Sequence, residues 1–427
     1  MSFVACSTPL GTGGIAVVRM SGKSSISVLK KITKSKRVPK HSVAKKYTAY
    51  DSHGDSFDNI VVTTFFAPKS YTGEDLVEIS CHGNPVIVSK ILELCCLYGC
   101  RIADPGEFTK TAFLNGKMDI SEAESVSDII HAKSIDGVKL GAKNLSGGLS
   151  KKVKDVKTSV VSCLAAIEFN LDISEEELQP NLIKNSLDVL GDLVLKTKSA
   201  VKTFKSSSIF VSGASVVISG PPNAGKSTLF NTLVGTNRAI VTEIPGTTRD
   251  VVEKEILVNT IPINLKDTAG IRLSKDPVES AGIERSKEEL NTADLVLCLE
   301  EKPKKPKKNY LYIYNKSDLG PPSGDFDISI SAKKEKNIQK LINMVSSTLL
   351  DTNSTSDIQI TTTRQLNLMK DVLLSLQKAR VHLSTDFSLE LVAEELSRAV
   401  SFLDMLTEKT TKDDVLNVVF SSFCVGK

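Results

Sequence analysis

The pattern of apolar and polar positions divides the chain into regions of different character. Residues 1–118 contain short apolar runs such as "GGIAVVRM", "NIVVTTFFA" and "EDLVEIS", separated by turn residues. Runs of this length between turns are typical of strands, so the pattern predicts an N-terminal α+β domain. Helical spacing dominates residues 119–212 and returns in residues 352–427, as in "RQLNLMKDVLLSLQKARVHL".

Residues 213–351 alternate strands and helices, a rhythm that predicts a mostly parallel sheet. The simplest interpretation is one helical domain, 119–212 and 352–427, interrupted by an inserted α/β domain whose two ends lie close together. Two unrelated helical segments are the alternative. The expected fold class is therefore multidomain α/β.

Composition adds only broad limits. The chain is 41% hydrophobic and 24% charged, with a net charge of +4 that identifies no nucleic-acid partner. No apolar run approaches the roughly 18 to 20 residues needed to span a bilayer. The first residues lack a signal or transit pattern, so we expect a cytoplasmic protein without a membrane partner. The lysine-rich runs 149–157 and 302–308 are expected to be solvated.

Eight cysteines show no paired spacing of a zinc site. Cys95, Cys96 and Cys100 fall in an apolar stretch that predicts a helix with buried thiols. Cys424, near the end of the chain, stands apart from these.

A phosphate-binding motif opens the α/β region. In "ASVVISGPPNAGKSTLFNTL", Gly220, Gly225, Lys226 and Ser227 satisfy G-x-x-x-x-G-K-S between an apolar strand and a helix. Loop N–H groups and the helix N-terminus bind phosphates, the lysine reaches the outer phosphates, and the serine hydroxyl is a magnesium ligand.

Three further motifs follow in the order that a GTPase needs. "GTTRD" offers Thr248 as second magnesium ligand and γ-phosphate sensor. Asp267 ends the strand "IPINLK" beside the metal shell, and Gly270 offers its amide to the γ-phosphate. "NKSD" places Asp318 where a carboxylate can accept the two guanine hydrogen bonds that adenine lacks, so GTP is the predicted nucleotide. "SAK", residues 331–333, supplies backbone contacts.

Ile271 stands where Ras-like GTPases carry a glutamine that orients water. An arginine finger would raise the hydrolysis rate by roughly 10³ to 10⁵, but no sequence pattern identifies one. Arg249 and Arg272 are candidates only because they lie close to the nucleotide motifs in sequence. Of the acids Asp276, Glu279 and Glu284, one could hold the attacking water through a bridging water. A solvated acidic helix start is the equally weighted alternative.

The chain resembles the MnmE (TrmE) family of tRNA-modification GTPases over nearly its whole length. The resemblance rests on "STPLGTGGIAVVRMSG", "SYTGEDLVEISCHGNP", "DPGEFTKTAFLNGKMDISEAESVSDII", "GPPNAGKSTLFN", "GTTRDVV", "DTAGIR" and "VFSSFCVGK". It implies an N-terminal folate-binding-like domain, with the Ras-like GTPase domain inserted in the helical domain.

The resemblance also implies a GTPase activated when its G domains dimerise around a potassium ion. Glu279 takes the water-activating role, beside Lys226 and Thr248 as catalytic residues, and potassium replaces the arginine finger. Its ligands carry over to Asn223, Thr242, Ile244 and Thr247. The predicted nucleotide contacts are Asn223, Ala224, Gly225, Lys226, Ser227, Thr228, Thr242, Glu243, Ile244, Pro245, Gly246, Thr247, Thr248, Asp267, Thr268, Ala269, Gly270, Asn315, Lys316, Ser317, Asp318, Ser331, Ala332 and Lys333.

For the N-terminal domain the resemblance points to Arg19, Glu78 and Lys117 as ligands of a tetrahydrofolate derivative, in the 5-formyl or methylene form. From the residues alone, surface salt bridges are the favoured interpretation. Family members end in a tail that returns to the folate site, which makes Lys427 a folate contact and Cys424 a candidate functional thiol. Without the resemblance, the tail would be an ordinary frayed terminus.

The resemblance implies a homodimer that works with an FAD-containing partner, MnmG (GidA), as a heterotetramer. Together they would add an aminomethyl-type group, such as carboxymethylaminomethyl, at C5 of the wobble uridine of tRNA. A regulatory or ribosome-assembly GTPase of the Era/Der type is the alternative. A folate-dependent aminomethyltransferase with an incidental nucleotide domain is a third class.

One stretch departs from the family pattern. Only "EKPKKPKKN" lies between the strand "ADLVLCLE" and the strand before "NKSD". Parallel strands normally need a longer, helical crossover, and two prolines exclude a helix here. We therefore predict a loop in place of one covering helix.

Overall fold

The computed structural model describes residues 1–9, 11–171, 180–236, 252–267, 288–350, 357–385, 388–407, 416, 419–421 and 423–426. These residues form two compact units. The first is Met1–Ser127 with Asp404–Lys427, and the second is Asp128–Leu403. The predicted division into three domains, with an inserted G domain, stays a prediction.

The first unit is built on a six-stranded sheet in the order β3-β4-β5-β2-β1-β6. All its neighbouring strands are antiparallel except β1 and β6. The strands are β1 Ser2–Cys6, β2 Gly13–Ser21, β3 Lys45–Tyr50, β4 Ser56–Phe65, β5 Leu76–Gly83 and β6 Cys100–Ile102. The helices are α1 Ser25–Thr33, α2 Pro85–Leu97, α3 Glu107–Leu114 and α4 Ile120–His131, whose last residues belong to the second unit.

Alternation of buried and exposed positions explains this sheet. In β4, Ile60, Val62 and Thr64 are buried while Asn59 and Val61 are exposed. The buried side chains pack on α1 and α2, including Val28 and Ile91. α2 begins at Pro85 because the Asn84 side chain accepts the Val86 amide, and proline needs no amide partner there. The runs "GGIAVVRM", "NIVVTTFFA" and "EDLVEIS" correspond to β2, β4 and β5, so the strands predicted there are confirmed.

The cysteine prediction was partly wrong. Cys95 and Cys96 lie in α2, but Cys100 begins β6, because Gly99 at φ 114° ends the helical stretch with a turn. Burial raises the pKa of the Cys100 thiol to about 11 and raises the pKa of the Cys95 thiol well above its ordinary value, so both thiols behave as small apolar side chains.

The second unit combines a helical bundle and a second six-stranded sheet of order β12-β11-β10-β7-β9-β8. Only the β8–β9 pair is antiparallel. Its strands are β7 Ala214–Ser219, β8 Val252–Val258, β9 Ile261–Asp267, β10 Leu295–Cys298, β11 Tyr310–Tyr314 and β12 Ile328–Ser329. Its helices are α5 Ile135–Leu145, α6 Gly148–Leu171, α7 Pro180–Ser212, α8 Lys226–Thr236, α9 Ile338–Leu349, α10 Thr363–Thr385 and α11 Leu389–Thr407, whose last residues belong to the first unit.

The bundle helices have one buried stripe each. In α10, Met369, Val372, Leu376, Ala379 and Leu383 are fully buried, at spacings of three and four residues. No helix in the described ranges is long and apolar enough to cross a membrane.

The predicted loop crossover is confirmed. β10 and β11 are parallel neighbours, and the residues between them, 299–309, contain no helix. Lys302 of this loop donates to Asp327 at 2.9 Å, and the Lys307 ammonium lies 4.8 Å from the centre of the Tyr310 ring. The loop is therefore tied to the sheet at both ends.

Candidate functional site

The phosphate loop joins the end of β7 to the start of α8, as the sequence predicts. Gly225 has φ 92°, and a Cβ there would lie 2.4 Å from Nδ2 of Asn315. A Cβ on Gly220 would lie 2.9 Å from Cβ of Leu299. Both positions therefore require glycine, because the loop passes close to β10 and to the "NKSD" segment.

Lys226 places its ammonium within this loop. Its Nζ donates to the carbonyls of Gly220 at 2.8 Å and Pro221 at 2.9 Å. Ser227 and Thr228 follow in the first turn of α8, where both are exposed. A cavity is lined by Pro222, Asn223, Gly225, Lys226, Ser227, Thr228 and Lys316. A helix N-terminus, loop amides and two ammonium groups make this cavity suited to a polyphosphate.

Asn315 connects three of the predicted motifs. Its Nδ2 donates to the carbonyl of Ala224 at 3.0 Å, and its Oδ1 accepts from the amide of Ala332 at 3.0 Å. The neighbouring Lys316 donates through Nζ to the carbonyl of Asn223 at 2.7 Å. The phosphate loop and the two base-recognition segments are thus held together by hydrogen bonds, although they are about a hundred residues apart in sequence.

Asp318 is held in place by the third motif. The Ser331 hydroxyl donates to Oδ1 of Asp318 at 2.6 Å. That hydrogen bond is the main cause that lowers the pKa of Asp318 below its ordinary value. The carboxylate therefore stays ionised at neutral pH and can accept hydrogen bonds from a guanine ring.

Two other residues of this region complete the scaffold. Ser317 donates its amide to the carbonyl of Ile330, while its hydroxyl is buried without a partner among the described residues. Thr232 of α8 donates to the carbonyl of Ala332 at 3.1 Å. Sequence reasoning missed Thr232, because no motif includes it. Lys333 is exposed beside the site.

Asp267 is the last residue of β9 and is paired in register with Ile218 of β7. Its side chain is buried, as expected for a carboxylate that supports a metal shell. The remaining predicted residues lie outside the described residues; they are Thr242, Glu243, Ile244, Pro245, Gly246, Thr247, Thr248, Thr268, Ala269, Gly270, Glu279 and Lys427.

In the first unit, Arg19 and Glu78 face each other across β2 and β5. The Arg19 Nη2 and Nε atoms lie 2.7 and 3.0 Å from Oε1 of Glu78. The guanidinium also lies 5.7 Å from the centre of the Tyr71 ring and 5.6 Å from that of Phe108. The rings were not identified from sequence, since neither shares a motif with Arg19.

Lys117 lies on the segment that follows α3, and its Nζ donates to the carbonyl of Pro68 at 3.0 Å. Asn115 of the same segment donates to the carbonyl of Thr72 at 2.7 Å. Thr72 in turn shares a hydrogen bond of 2.7 Å with Ser21, two residues after Arg19 in the chain. The 68–74 loop thus connects Lys117 to the Arg19 region.

The tail of the chain packs on the N-terminal domain. Phe420 and Phe423 join Phe113 in a buried cluster. The Ser7 hydroxyl donates to the carbonyl of Gly426 at 3.0 Å, and the Gly106 amide donates to the carbonyl of Cys424. Cys424 itself is exposed. The tail is therefore anchored beside β1, which pairs with the Arg19-bearing strand.

Two family models match the chain. The model of the GTP-binding protein TrmE N-terminus matches residues 2–117, and that of the MnmE helical domain matches residues 120–424. A relative from Thermotoga maritima, named tRNA modification GTPase MnmE, is 38% identical over 454 residues and both chains are covered completely.

Relatives with the same name occur in Carboxydothermus hydrogenoformans, 36% identical, and Lactobacillus helveticus, 34% identical. All of this chain is covered in both cases, with 99% and 98% of the relatives. Because the identity exceeds a third of the positions along the whole length, and the MnmE helical-domain model matches more than half of the chain, this chain belongs to the MnmE family of tRNA modification GTPases.

Proposed function

We propose that the protein hydrolyses GTP and uses it in the modification of tRNA. One observation carries the nucleotide part: Asn315 joins the phosphate loop to the "SAK" segment, beside an ionised Asp318. A carboxylate in that place accepts two hydrogen bonds from guanine and none from adenine, so it selects GTP over ATP.

Lys226 is the phosphate ligand that neutralises charge developing on the outer phosphates, and Ser227 with Thr248 would hold magnesium. The exposed Ser227 hydroxyl at the start of α8 fits this role. Magnesium held there would supply positive charge that offsets the negative charge of the phosphates. Glu279 is the proposed residue that orients the attacking water, since Ile271 has no polar group.

We further propose that potassium supplies the charge of an arginine finger when two G domains meet. Asn223 supports this assignment: its φ of 63° and the Lys316 bond to its carbonyl fix its backbone. Its exposed side-chain amide has no partner in the described part of the chain, so its oxygen is available to a monovalent cation. Thr242, Ile244 and Thr247 complete the proposed ligand set.

The first unit is proposed to bind a tetrahydrofolate derivative at Arg19, Glu78, Lys117 and Lys427. A carboxylate can pair with the 2-amino and ring N–H groups of a pterin, and cations can meet its oxygens. With an FAD-containing partner of the MnmG (GidA) type, the homodimer adds an aminomethyl-type group to C5 of the wobble uridine. Cys424 is a candidate thiol for this step, and the cytoplasm is the expected location.

The match of residues 2–117 to the TrmE N-terminus favours this proposal over an Era/Der-type switch, which has no reason to keep that domain. The full set of nucleotide motifs disfavours a folate enzyme with an incidental nucleotide domain.

The test is steady-state GTP hydrolysis in potassium and in sodium at matched ionic strength. The variants are Glu279→Ala and Asp318→Asn. Strong potassium stimulation that Glu279→Ala abolishes supports the catalytic proposal. Asp318→Asn should lose GTP but accept xanthosine triphosphate, whose second ring carbonyl suits an amide donor. Equal hydrolysis rates in both salts would contradict the proposed potassium ligands. Hydrolysis of ATP at the same rate as GTP would contradict the assignment of Asp318 to guanine recognition.

A further inference from the structure

One face of α7 carries lysines and no acid. Lys198, Lys202 and Lys205 recur at helical spacing, and all three are exposed. No Asp or Glu occurs in α7 after Asp192. At a rise of about 1.5 Å per residue, the first and last of these lysines lie roughly 10 Å apart along the helix. None of them has a carboxylate partner in the described part of the chain.

The neighbouring helix α5 adds two further cations. Lys139 and Lys143 line a cavity whose opposite wall includes Ser206, Ser207 and Phe210 of α7. The lysines of α7 are not among the residues that line this cavity, but Ser206 lies one turn after Lys202, so the cavity borders the lysine-bearing face of α7. Lys139 lies 3.6 Å from Asp136, whereas Lys143 has no ion pair among described residues. We name this surface the α5–α7 basic groove, and it comprises Lys139, Lys143, Lys198, Lys202 and Lys205.

This groove differs from two other lysine-rich stretches of the second unit, the crossover loop and α6, in its lack of compensation. In the crossover loop, Lys302 pairs with Asp327, and Glu300, Glu301 and Asp325 stand close in sequence to these two residues. On α6, Lys152 pairs with Asp357. Five cations with a single carboxylate repel one another, so the groove is best satisfied by a polyanion.

The chemistry of the groove fits the phosphate backbone of RNA. Lysines and hydroxyl groups are the donors that most often contact phosphates, and these contacts carry no base sequence. The lysines are spread along a rigid helix, so several phosphates of one strand can be bound together. A single small anion would leave most of these cations unused.

We propose that the α5–α7 basic groove binds the phosphate backbone of tRNA. The proposal rests on the proposed function, which makes tRNA the substrate. It assigns a binding surface to a part of the chain that contains none of the nucleotide or folate motifs. Because the contacts are electrostatic, binding at this surface must weaken as salt concentration rises.

The test compares two triple variants that remove the same charge. One is Lys198→Gln, Lys202→Gln, Lys205→Gln in the groove, and the control is Lys304→Gln, Lys305→Gln, Lys308→Gln in the crossover loop, whose lysines are equally exposed. Affinity for an unmodified tRNA transcript is measured by fluorescence anisotropy over a series of KCl concentrations. The groove variant should bind at least about tenfold more weakly, and its log–log salt slope should fall by roughly two to three.

The control variant should retain both the affinity and the slope within experimental error. Equal losses in the two variants, or no loss in the groove variant, would overturn the proposal. If the groove variant keeps tRNA binding but no longer assembles with the FAD-containing partner, the surface is a protein contact and the RNA assignment is wrong. Failure of the unmodified chain to bind tRNA would instead contradict the proposed function.

GTP hydrolysis and circular dichroism provide the check on folding. Both should be unchanged in the groove variant, because its three substitutions lie on a solvent-exposed helix face. If the triple variant does not fold, the single charge reversal Lys202→Glu is measured in its place. That variant should lower tRNA affinity at low salt and approach the unmodified chain at high salt; salt-independent weakening would overturn the proposal.

Discussion

Lys133 bridges β8 and β9, an antiparallel pair in which Val252, the first residue of β8, lies opposite Asp267, the last residue of β9. Its Nζ lies 2.5 Å from Oε1 of Glu255 and 3.4 Å from Oδ1 of Asn264. Glu255 and Asn264 are directly paired across β8 and β9. β8 begins just after the "GTTRD" motif, and β9 ends at Asp267. Lys133 itself precedes α5, so it connects a bundle helix to this strand pair.

Removing this contact should destabilise the second unit, and the effects of substituting Lys133 and Glu255 should not be additive. Lys133→Met and Glu255→Gln are each expected to cost about 0.5 to 1 kcal/mol, because the two side chains are still 27% and 28% exposed to solvent. The double variant should cost less than the sum, since either change removes the same interaction. Urea unfolding of the four proteins gives the coupling energy.

The matched control is the Lys152–Asp357 pair, at 3.1 Å and with Asp357 84% exposed. Its cycle should show a smaller coupling, because solvent screens it more strongly. Additive effects at Lys133 and Glu255 would show that the observed contact contributes nothing to stability.

Gly225→Ala should abolish tight nucleotide binding. The new Cβ would lie 2.4 Å from Nδ2 of Asn315, and the backbone is left-handed at this position. Asn315 must then move away from Ala224 and Ala332, which disturbs both the phosphate loop and the guanine side of the site. The left-handed backbone of an alanine at this position adds a strain of roughly 1 to 2 kcal/mol. We therefore expect GTP affinity, measured with a fluorescent GTP analogue, to fall by at least about tenfold.

Gly235→Ala in α8 serves as the control for this substitution. A Cβ there meets nothing within 4 Å. The change should leave GTP affinity unaltered and stabilise the helix by roughly 0.5 kcal/mol. If Gly225→Ala binds GTP as well as this control does, the loop tolerates a side chain and the close approach is not limiting.

The elements that frame the candidate nucleotide site were predictable from the sequence because the motifs are local. A phosphate loop needs only a strand, a turn and a helix in succession, and β7, Gly225 and α8 supply them. Asp267 at the end of β9 and the loop crossover at 299–309 follow from the same short-range rules. The short length of the segment and its two prolines were sufficient to exclude a helix there.

Contacts between distant segments were not predictable in this way. Nothing in the sequence near Lys133 indicates its partner Glu255, which lies 122 residues away. The same holds for the rings that flank Arg19. Gly106 lies against Phe420 and Phe423, where a Cβ would be 2.8 Å from the carbonyl of Phe420. Periodicity reports which face of an element is buried, but not which segment covers it.

The Ser331–Asp318 contact predicts a specific pH dependence. The contact lowers the pKa of the Asp318 carboxyl. The contribution of this carboxylate to guanine binding is therefore fully present above the ordinary pKa of an aspartate, and it is lost as the pH falls through the lowered pKa. GTP affinity should therefore show no loss from this group near neutral pH. In Ser331→Ala the pKa rises, and the loss should begin at a higher pH.

The measurement is the ratio of the GTP affinities of the unmodified protein and of Ser331→Ala in acidic buffers, with circular dichroism as the check on folding. Protonation of the GTP phosphates affects both proteins equally and therefore cancels in this ratio. A ratio that stays constant on acidification would mean that the Ser331 hydroxyl positions Asp318 without affecting its ionisation.

The Arg19–Glu78 pair distinguishes a ligand site from an ordinary salt bridge. Both hydrogen bonds from the guanidinium go to Oε1, which leaves Oε2 of Glu78 for another donor. A pterin offers two adjacent N–H donors, so Glu78→Gln, which replaces one acceptor by a donor, should bind 5-formyl-tetrahydrofolate at least about tenfold more weakly. Isothermal titration calorimetry measures this loss.

Glu93→Gln is the control, because the Lys90–Glu93 pair lies within α2 with Glu93 63% exposed. It removes the same charge and should leave folate affinity unchanged. If Glu78→Gln also binds folate normally, but its melting temperature falls, the pair acts as a cross-strand salt bridge that stabilises the β2–β5 pair. Retained affinity in Glu78→Gln would therefore move the search for the pterin ligand to the 68–74 loop and Lys117.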